Sequence, residues 1–513
     1  MGPLQDIWET WARFWTPVNP AVAFLKARWQ LMVAISATVL LPCFWHQRIE
    51  AGDLGSHVYN AWLAQLIGKG QAPGLYLSHQ WHNMLFDVVL LHTANFFGFV
   101  AAQRIVVSVC VLIFFLGVFS LVSAVTGKAP LFLAPCIAIL AYGYSFEMGF
   151  MNYYLSIGLT CFSLAIFLSA KKRGWIVGVI VAALVYLAHP VGFLWLGGAW
   201  AYLWVRNRLT GGWRVVPFFA GLAGVYLIHW ELVHRVKFEM DWEKLPFYQA
   251  NGADQLVLFG ERYVWLAWAG LIVGLVFFLI GLADAWKDWG GLRVLVLPLE
   301  LYTILFIATA MLPENLRTSV FAGWIGLLVS RLTAISAIFG LCVLGGLKQR
   351  KWHLAGFGIL AVAFFGFLYQ DTKTINQVES SAEQIAARLP YGTRVVPTVQ
   401  APGDWRVQFI GHTVDRACIG HCFVYSNYEP PSGQFRVRVG KGSPLVTDSA
   451  DDSEDMEGGS YLVQVSDPRL KRIYQCDPAD FTRLCLRDLV EGETTGQAIP
   501  VAGPAAEGSS KPH

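Results

Sequence analysis

Asp53, His57 and Asn60 stand at i, i+4 and i+7 just after the first strongly apolar stretch of the chain, and on a helix they form one narrow polar stripe. Leu54, Val58, Trp62 and Leu66 form the opposite, apolar stripe. A helix divided in this way lies in a membrane interface with its polar side turned toward something. A carboxylate there can act as general base on a hydroxyl, with Glu50 and His57 as neighbouring candidates for the same chemistry. The structural alternative is that Asp53 only caps the helix, accepting from backbone amides near Ser56. Gly68, Gly70, Pro73 and Gly74 then end it, through positive φ and a missing donor.

The elements that must position these residues are membrane helices. The 513 residues are 55% hydrophobic and only 14% charged, against about 25% charged in an ordinary soluble domain. A net charge of +3, scattered among loops, excludes a nucleic-acid binder. Trp8, Trp11, Phe14 and Trp15 read as an interfacial lead-in rather than a removed signal peptide. On a ruler of about 20 apolar residues the chain offers about eleven spans, the first near residues 29–46 and the last near 353–369. Residues 83–97, with Asp87 and His92, read as a second interfacial helix in the first outer loop or as a further crossing. Lys26, Arg28, Lys128, Arg206, Arg208, Lys348 and Arg350 gather on one side, which places the N-terminus in the cytoplasm. An odd span count leaves everything beyond about residue 370 outside it.

Three regions follow: a transmembrane domain over 1–370, an extracytoplasmic α+β domain over 371–492, and a disordered tail over 493–513. In the second, a helical pattern over 375–389 precedes short alternating runs at 394–399, 405–410, 435–439 and 461–465, and the acidic stretch 448–459 reads as a loop. Cys418, Cys422, Cys476 and Cys485 all lie there, where thiols oxidise. Of the three possible pairings, Cys418 with Cys422 and Cys476 with Cys485 is preferred. Zinc held by Cys418, Cys422, His421 and His412 is the competing reading, disfavoured by its spacing.

Other polar residues fall at the outer ends of spans: Asn152, His189, Glu314 and Arg317 join Glu50, Asp53, His57 and Asn60 on one face. Each alone has a structural explanation, in a cross-helix hydrogen bond or a turn. Together they mark the face where chemistry occurs. Glu300, inside an apolar run, needs a partner or a proton, because an ionised carboxylate costs on the order of 3 kcal/mol there. Residues 316–347 would make a helix about 48 Å long, so an interfacial helix followed by a span fits better. Arg331 then sits near the outer boundary, able to fork onto an anionic lipid headgroup or simply to snorkel.

The run Glu50-Ala51-Gly52-Asp53 with His57, the turn Gly149-Phe150-Met151-Asn152-Tyr153, His189-Pro190, and Leu312-Pro313-Glu314 followed by Arg331 together resemble the GT-C superfamily of integral-membrane glycosyltransferases, in its bacterial branch that uses polyprenyl-phosphate sugars. The resemblance covers residues 29–369. It implies an α-helical polytopic membrane protein carrying a small C-terminal extracytoplasmic domain in the plasma membrane. The implied activity is inverting transfer of a sugar from a polyprenyl-phosphate donor to a glycan, lipid or protein acceptor on the outer face. Asp53 matches the family's first-loop carboxylate, the general base, and Arg331 would hold the leaving phosphate, with Asn60, Asn152, His189, Glu314 and Arg317 around the donor. The acids stand three apart rather than as Asp-x-Asp, so no metal and no other cofactor is expected. The alternatives are a transporter or flippase, with charges near the midplane and internal symmetry, and a surface-polysaccharide polymerase or ligase, whose outer loop would be residues 231–262.

Overall fold

The longest apolar run of the chain becomes its longest helix. In the computed structural model, which describes residues 20–169, 174–235, 239–242, 247–287, 289–317, 324–407, 410–477 and 479–496, the helices in order are α1 (Pro20–Ala27), α2 (Trp29–Val39), α3 (Leu54–Gly68), α4 (Leu85–Thr126), α5 (Ala134–Ala141), α6 (Met151–Ser169), α7 (Gly174–Ala188), α8 (Pro190–Arg208), α9 (Val216–His234), α10 (Glu261–Ala285), α11 (Trp289–Met311), α12 (Leu328–Gly346) and α13 (Lys351–Ala386). The tryptophan-rich lead-in before Pro20 and parts of the loop 231–262 lie outside the described residues.

Among the described residues seven helices are long and apolar enough to cross a membrane, or eight if α1 and α2, bent by 100° where they meet, form one span. Hydropathy alone predicts about eleven. The difference lies in runs that the backbone cuts short. Leu131–Glu147 is a short apolar helix, interrupted after Ala141, and Ile176–Ala188 is too short to span. Pro190, which has no N–H to continue a helix, separates α7 from α8. The break at Gly98 (φ 75°, ψ 166°) divides α4 into the expected short segment with Asp87 and the span that follows.

The α4 and α6 backbones touch at small residues: a Cβ on Gly117 would sit 2.4 Å from the Gly158 carbonyl oxygen. Glu300 of α11 finds its partners on α8, accepting from Arg206 Nε (2.9 Å) and the Tyr202 hydroxyl (2.7 Å). That pairing removes the cost of an isolated buried carboxylate.

No linker separates the membrane helices from the C-terminal domain, because α13 runs on through residue 370 to Ala386. Beyond it come β5 (Thr393–Thr398), α14 (Gly411–Ala417), β6 (Cys422–Val424), β7 (Val437–Val439), α15 (Ala450–Gly458), β8 (Leu470–Gln475) and β9 (Leu484–Asp488), numbered after β1 (Leu75–Leu77), β2 (Glu239–Asp241), β3 (Asn315–Arg317) and β4 (Trp324–Ile325). The four-stranded sheet has the order β6-β5-β8-β9, parallel about β5 and antiparallel at β8 and β9. Both preferred disulfides form, Cys418 with Cys422 and Cys476 with Cys485. The zinc alternative thereby loses two of its ligands.

Four expectations for this domain change. The acidic stretch 448–459 is the helix α15, capped by Ser449, whose side chain accepts from the Asp452 N–H, with Asp451 and Asp452 in the first turn where the helix dipole favours anions. Trp405 makes only an isolated bridge to Phe259 instead of opening a strand, and Leu462 bridges only to Thr494. Residues 493–496 therefore pack against the domain, with Thr495 fully buried, while 497–513 lie outside the described residues. Most consequential, β1 from the first loop pairs antiparallel with β7, Tyr76 opposite Arg438, so that the two halves of the chain share a sheet.

Candidate functional site

Because the C-terminal domain lies over the first loop, α3 is buried along nearly its whole length rather than lying half-exposed in an interface. Its apolar side meets β6: Trp62 stacks on Phe423 with ring centroids 5.4 Å apart, and the Tyr59 hydroxyl accepts from the Val424 N–H (2.9 Å). Asp53 is the N-cap residue, yet its side chain makes no capping hydrogen bond. The backbone does the holding instead. Gly52 N–H donates to the Glu147 carbonyl (2.6 Å) and Asp53 N–H to the Met148 carbonyl (3.0 Å). Gly149, at φ 78°, lies so close that a Cβ would come within 2.3 Å of the Asp53 nitrogen. The turn 149–153 is thus the seat of the first-loop carboxylate.

The Asp53 side chain is 14% exposed, its Oδ1 takes no hydrogen bond among the described residues, and His412 Nε2 faces it at 3.7 Å. Burial pushes the carboxyl above its ordinary range, while His412, His57 and Arg331 pull it back. One turn along, His57 Nδ1 lies 2.7 Å from Asp87 Oδ1. The other oxygen of Asp87 accepts from Asn152 Nδ2 (2.7 Å), and Asn152 Oδ1 accepts from the Phe86 N–H (2.8 Å). Burial disfavours the charge on His57, but Asp87, helped by Glu429 and Asp53, outweighs it and raises the imidazole to about 9. Asn60 donates to the Ser56 carbonyl (3.0 Å) and accepts from Asn427 (3.1 Å), while the Ser56 hydroxyl donates to Glu429 (3.0 Å). Burial lifts the Glu429 carboxyl to about 8 against the pull of His57.

Arg331, on the first turn of α12, lies with its guanidinium 4.4 Å over the ring of Phe150, a residue of the same turn that seats Asp53. Its Nη1 donates to the Gly326 carbonyl (3.0 Å), and its buried Nε has no hydrogen-bond partner among the described residues. Tyr153 donates its hydroxyl proton to the Arg331 carbonyl and packs edge-on against His189 (5.3 Å). His189 itself caps α8, accepting from the Val191 N–H (3.2 Å).

The remaining expected residues serve the frame. Glu314 caps α12, accepting from the Val329 (3.0 Å) and Ser330 (3.2 Å) amides and the Ser330 hydroxyl (2.7 Å). Arg317 on β3 reaches Asp451 (3.3 Å) in an exposed pair. Glu50 is held by Arg416 (2.9 Å), which also binds Glu379; burial, then Glu379, raises the Glu50 carboxyl to about 8. Asp53, His57, Asn152 and Arg331 converge, with Asn60 one turn further along and Glu50 beside them. Sequence reading missed Asp87, Asp415, Asn427 and Glu429 as site residues. His412 had been considered only as a zinc ligand.

An apolar cavity of about 600 Å³ opens among α10, α11, α12 and α13, lined by Leu256, Leu271, Leu275, Phe306 and Leu344. Next in sequence to the lining residue Ala253, Asp254 accepts from Thr333 (2.8 Å) and Arg406, and Arg406 also donates to the Ser330 hydroxyl (3.1 Å). On α12 the lining runs from Ala337 to Leu344, further along the helix than Arg331. The arrangement can remove a proton at Asp53 and hold an anion at Arg331, and the separate apolar cavity fits an alkyl chain. No family model, no curated protein and no solved structure matches this chain.

Proposed function

We propose that the chain is an inverting membrane glycosyltransferase of the GT-C type, moving a sugar from a polyprenyl-phosphate donor to an acceptor hydroxyl on the extracytoplasmic face. The observation that carries the reading is Asp53: a helix N-cap that does not cap, held by backbone bonds in a buried site, with an oxygen unbonded among the described residues and His412 facing it at 3.7 Å. In such a reaction Asp53 takes the acceptor proton as oxygen attacks the anomeric carbon, and the phosphate departs with the bonding electrons. The Arg331 guanidinium, whose Nε lacks a protein partner, suits the charge that develops on that phosphate. The 600 Å³ apolar cavity suits its lipid tail. No metal is needed for this assignment.

The test is Asp53→Asn in purified protein offered a panel of polyprenyl-phosphate sugars, with donor binding and turnover measured separately. Turnover is expected to fall about a hundredfold to ten-thousandfold with donor binding kept. Full activity in Asp53→Asn refutes the base. The Arg206–Glu300–Tyr202 cluster inside the membrane helices is the one observation that favours transport. Failure of the wild type to bind any lipid-linked sugar would turn the reading that way.

A further inference from the structure

The C-terminal domain does more than cover the site. α14 carries His412 and Asp415 one turn apart, both almost fully buried, with His412 Nδ1 2.8 Å from Asp415 Oδ2. That bond fixes the ring plane and leaves Nε2 facing Asp53 Oδ1 at 3.7 Å. Two features hold this geometry. The Cys418–Cys422 disulfide closes the end of α14, and α3 meets α14 backbone to backbone at Gly55, where a Cβ would lie 2.1 Å from the His412 carbonyl oxygen. The ring of Tyr428 flanks the imidazole at 5.4 Å.

We propose that the C-terminal domain supplies half of the reaction centre, through His412 acting as a positioning residue that, oriented by Asp415, faces Asp53 as an imidazolium and keeps it ionised. The assignment rests on the reading of Asp53 as the base. In the transfer, the acceptor O–H proton passes to Asp53, the new C–O bond forms, and the old one breaks toward the phosphate. His412 neither gains nor loses a proton in that step. Its work is done beforehand, because a buried carboxylate without a facing cation would hold its proton at neutral pH and could not take another.

The charges around the pair agree. Burial opposes the imidazolium, but Asp415, Glu457 from α15 and Asp53 overcome it and raise His412 to about 10. Around Asp53 the groups that act are His412 foremost, then His57 and Arg331, with Asp415 opposing them. His412 is thus the largest influence keeping Asp53 charged.

The decisive experiment needs no substrate. In full-length protein, deuterium exchange at the imidazole C2 position, read for each histidine by mass spectrometry up to about pH 11, gives the titration of His412. It should titrate well above the ordinary value of about 6.5, and Asp53→Asn, nearly isosteric, should lower it, by less than Asp415→Asn does, through loss of the facing charge. An unchanged His412 titration in Asp53→Asn overturns the proposal, whatever the donor proves to be. The second arm uses turnover of the lipid-linked sugars. His412→Gln, with both disulfides and its melting transition intact, should move the acid limb of the pH–rate profile to higher pH, with activity partly recovered at alkaline pH. Asp415→Asn should move it the same way by less. Reduced turnover with an unmoved acid limb makes His412 merely structural and also overturns the proposal. If the wild type turns over no sugar, the histidine titration still decides the pairing, and only the glycosyl-transfer reading fails.

Discussion

Asp87 is the residue whose importance is clearest in the structure and faintest in the chain. Its two oxygens join His57 on α3 to Asn152 on α6 at 2.7 Å each, so one carboxylate ties three elements together. Asparagine at this position can still accept from Asn152 but carries no charge for His57. In Asp87→Asn the His57 imidazole is therefore expected to drop from about 9, since burial opposes its charge and Asp87 is the largest influence raising it. Losing a partner of this buried pair should also cost about 1–3 kcal/mol of stability. Titration of His57 by ring-proton exchange, with a melting curve beside it, checks both, and an unshifted His57 would refute the charge assignment. Asp53 was legible in the sequence because its position after the first apolar run and the stripe with His57 and Asn60 are local patterns. His412 and Glu429 were not legible as its neighbours, because nothing local connects them to residue 53. The spacing His412-x-x-Asp415 was visible, yet it marks a dyad only once a helix places the two on one face.

Among the elements, α15 shows how composition misleads. Residues 448–459 are acidic and poor in apolar side chains, which suggests a loop, but the start and stop signals are those of a helix: Ser449 at the N-cap, Asp451 and Asp452 in the first turn, and Gly459 in the left-handed region at the end (φ 85°). Its apolar anchor is the single residue Met456, which is fully buried. A helix so lightly anchored depends on its cap. Ser449→Ala is expected to cost about 1 kcal/mol and to speed amide exchange across 450–458 while leaving the β5–β8 amides unchanged. Equal acceleration everywhere would mean that α15 unfolds only with the whole domain. The interfacial character expected of α3 failed for the opposite reason. Its two-sided pattern is real, but Trp62 of the apolar stripe, with Tyr59 beside it, meets β6 of a domain that lies far along the chain.

At the scale of the whole molecule the two halves are one unit, joined by the continuous α13, by the β1–β7 pairing and by buried charges contributed from both sides. Those charges give the joint a pH dependence whose sign is fixed. Glu50, Glu429 and Glu457 are each raised to about 8, His57 to about 9 and His412 to about 10. Each folded-state value lies above that of the unfolded chain, so the folded protein binds more protons and its stability falls as pH rises. The contribution of the carboxyls is complete below about pH 4.5 and lost on rising to about 8; that of the imidazoles is complete below about 6.5 and lost by about 10. Carboxyls that are paired and depressed on folding would give the reverse slope, the usual acid denaturation. The melting temperature in detergent should therefore decline steadily from about pH 6 to about pH 10, with limited proteolysis near Gly392 increasing over the same range as the C-terminal domain loosens from α3. Glu429→Gln removes one of the raised carboxyls and should flatten the lower part of that decline, whereas His412→Gln should flatten the upper part. A melting temperature that rises across this range, or a slope indifferent to both substitutions, would show that the charges buried between the halves do not govern how the halves hold together.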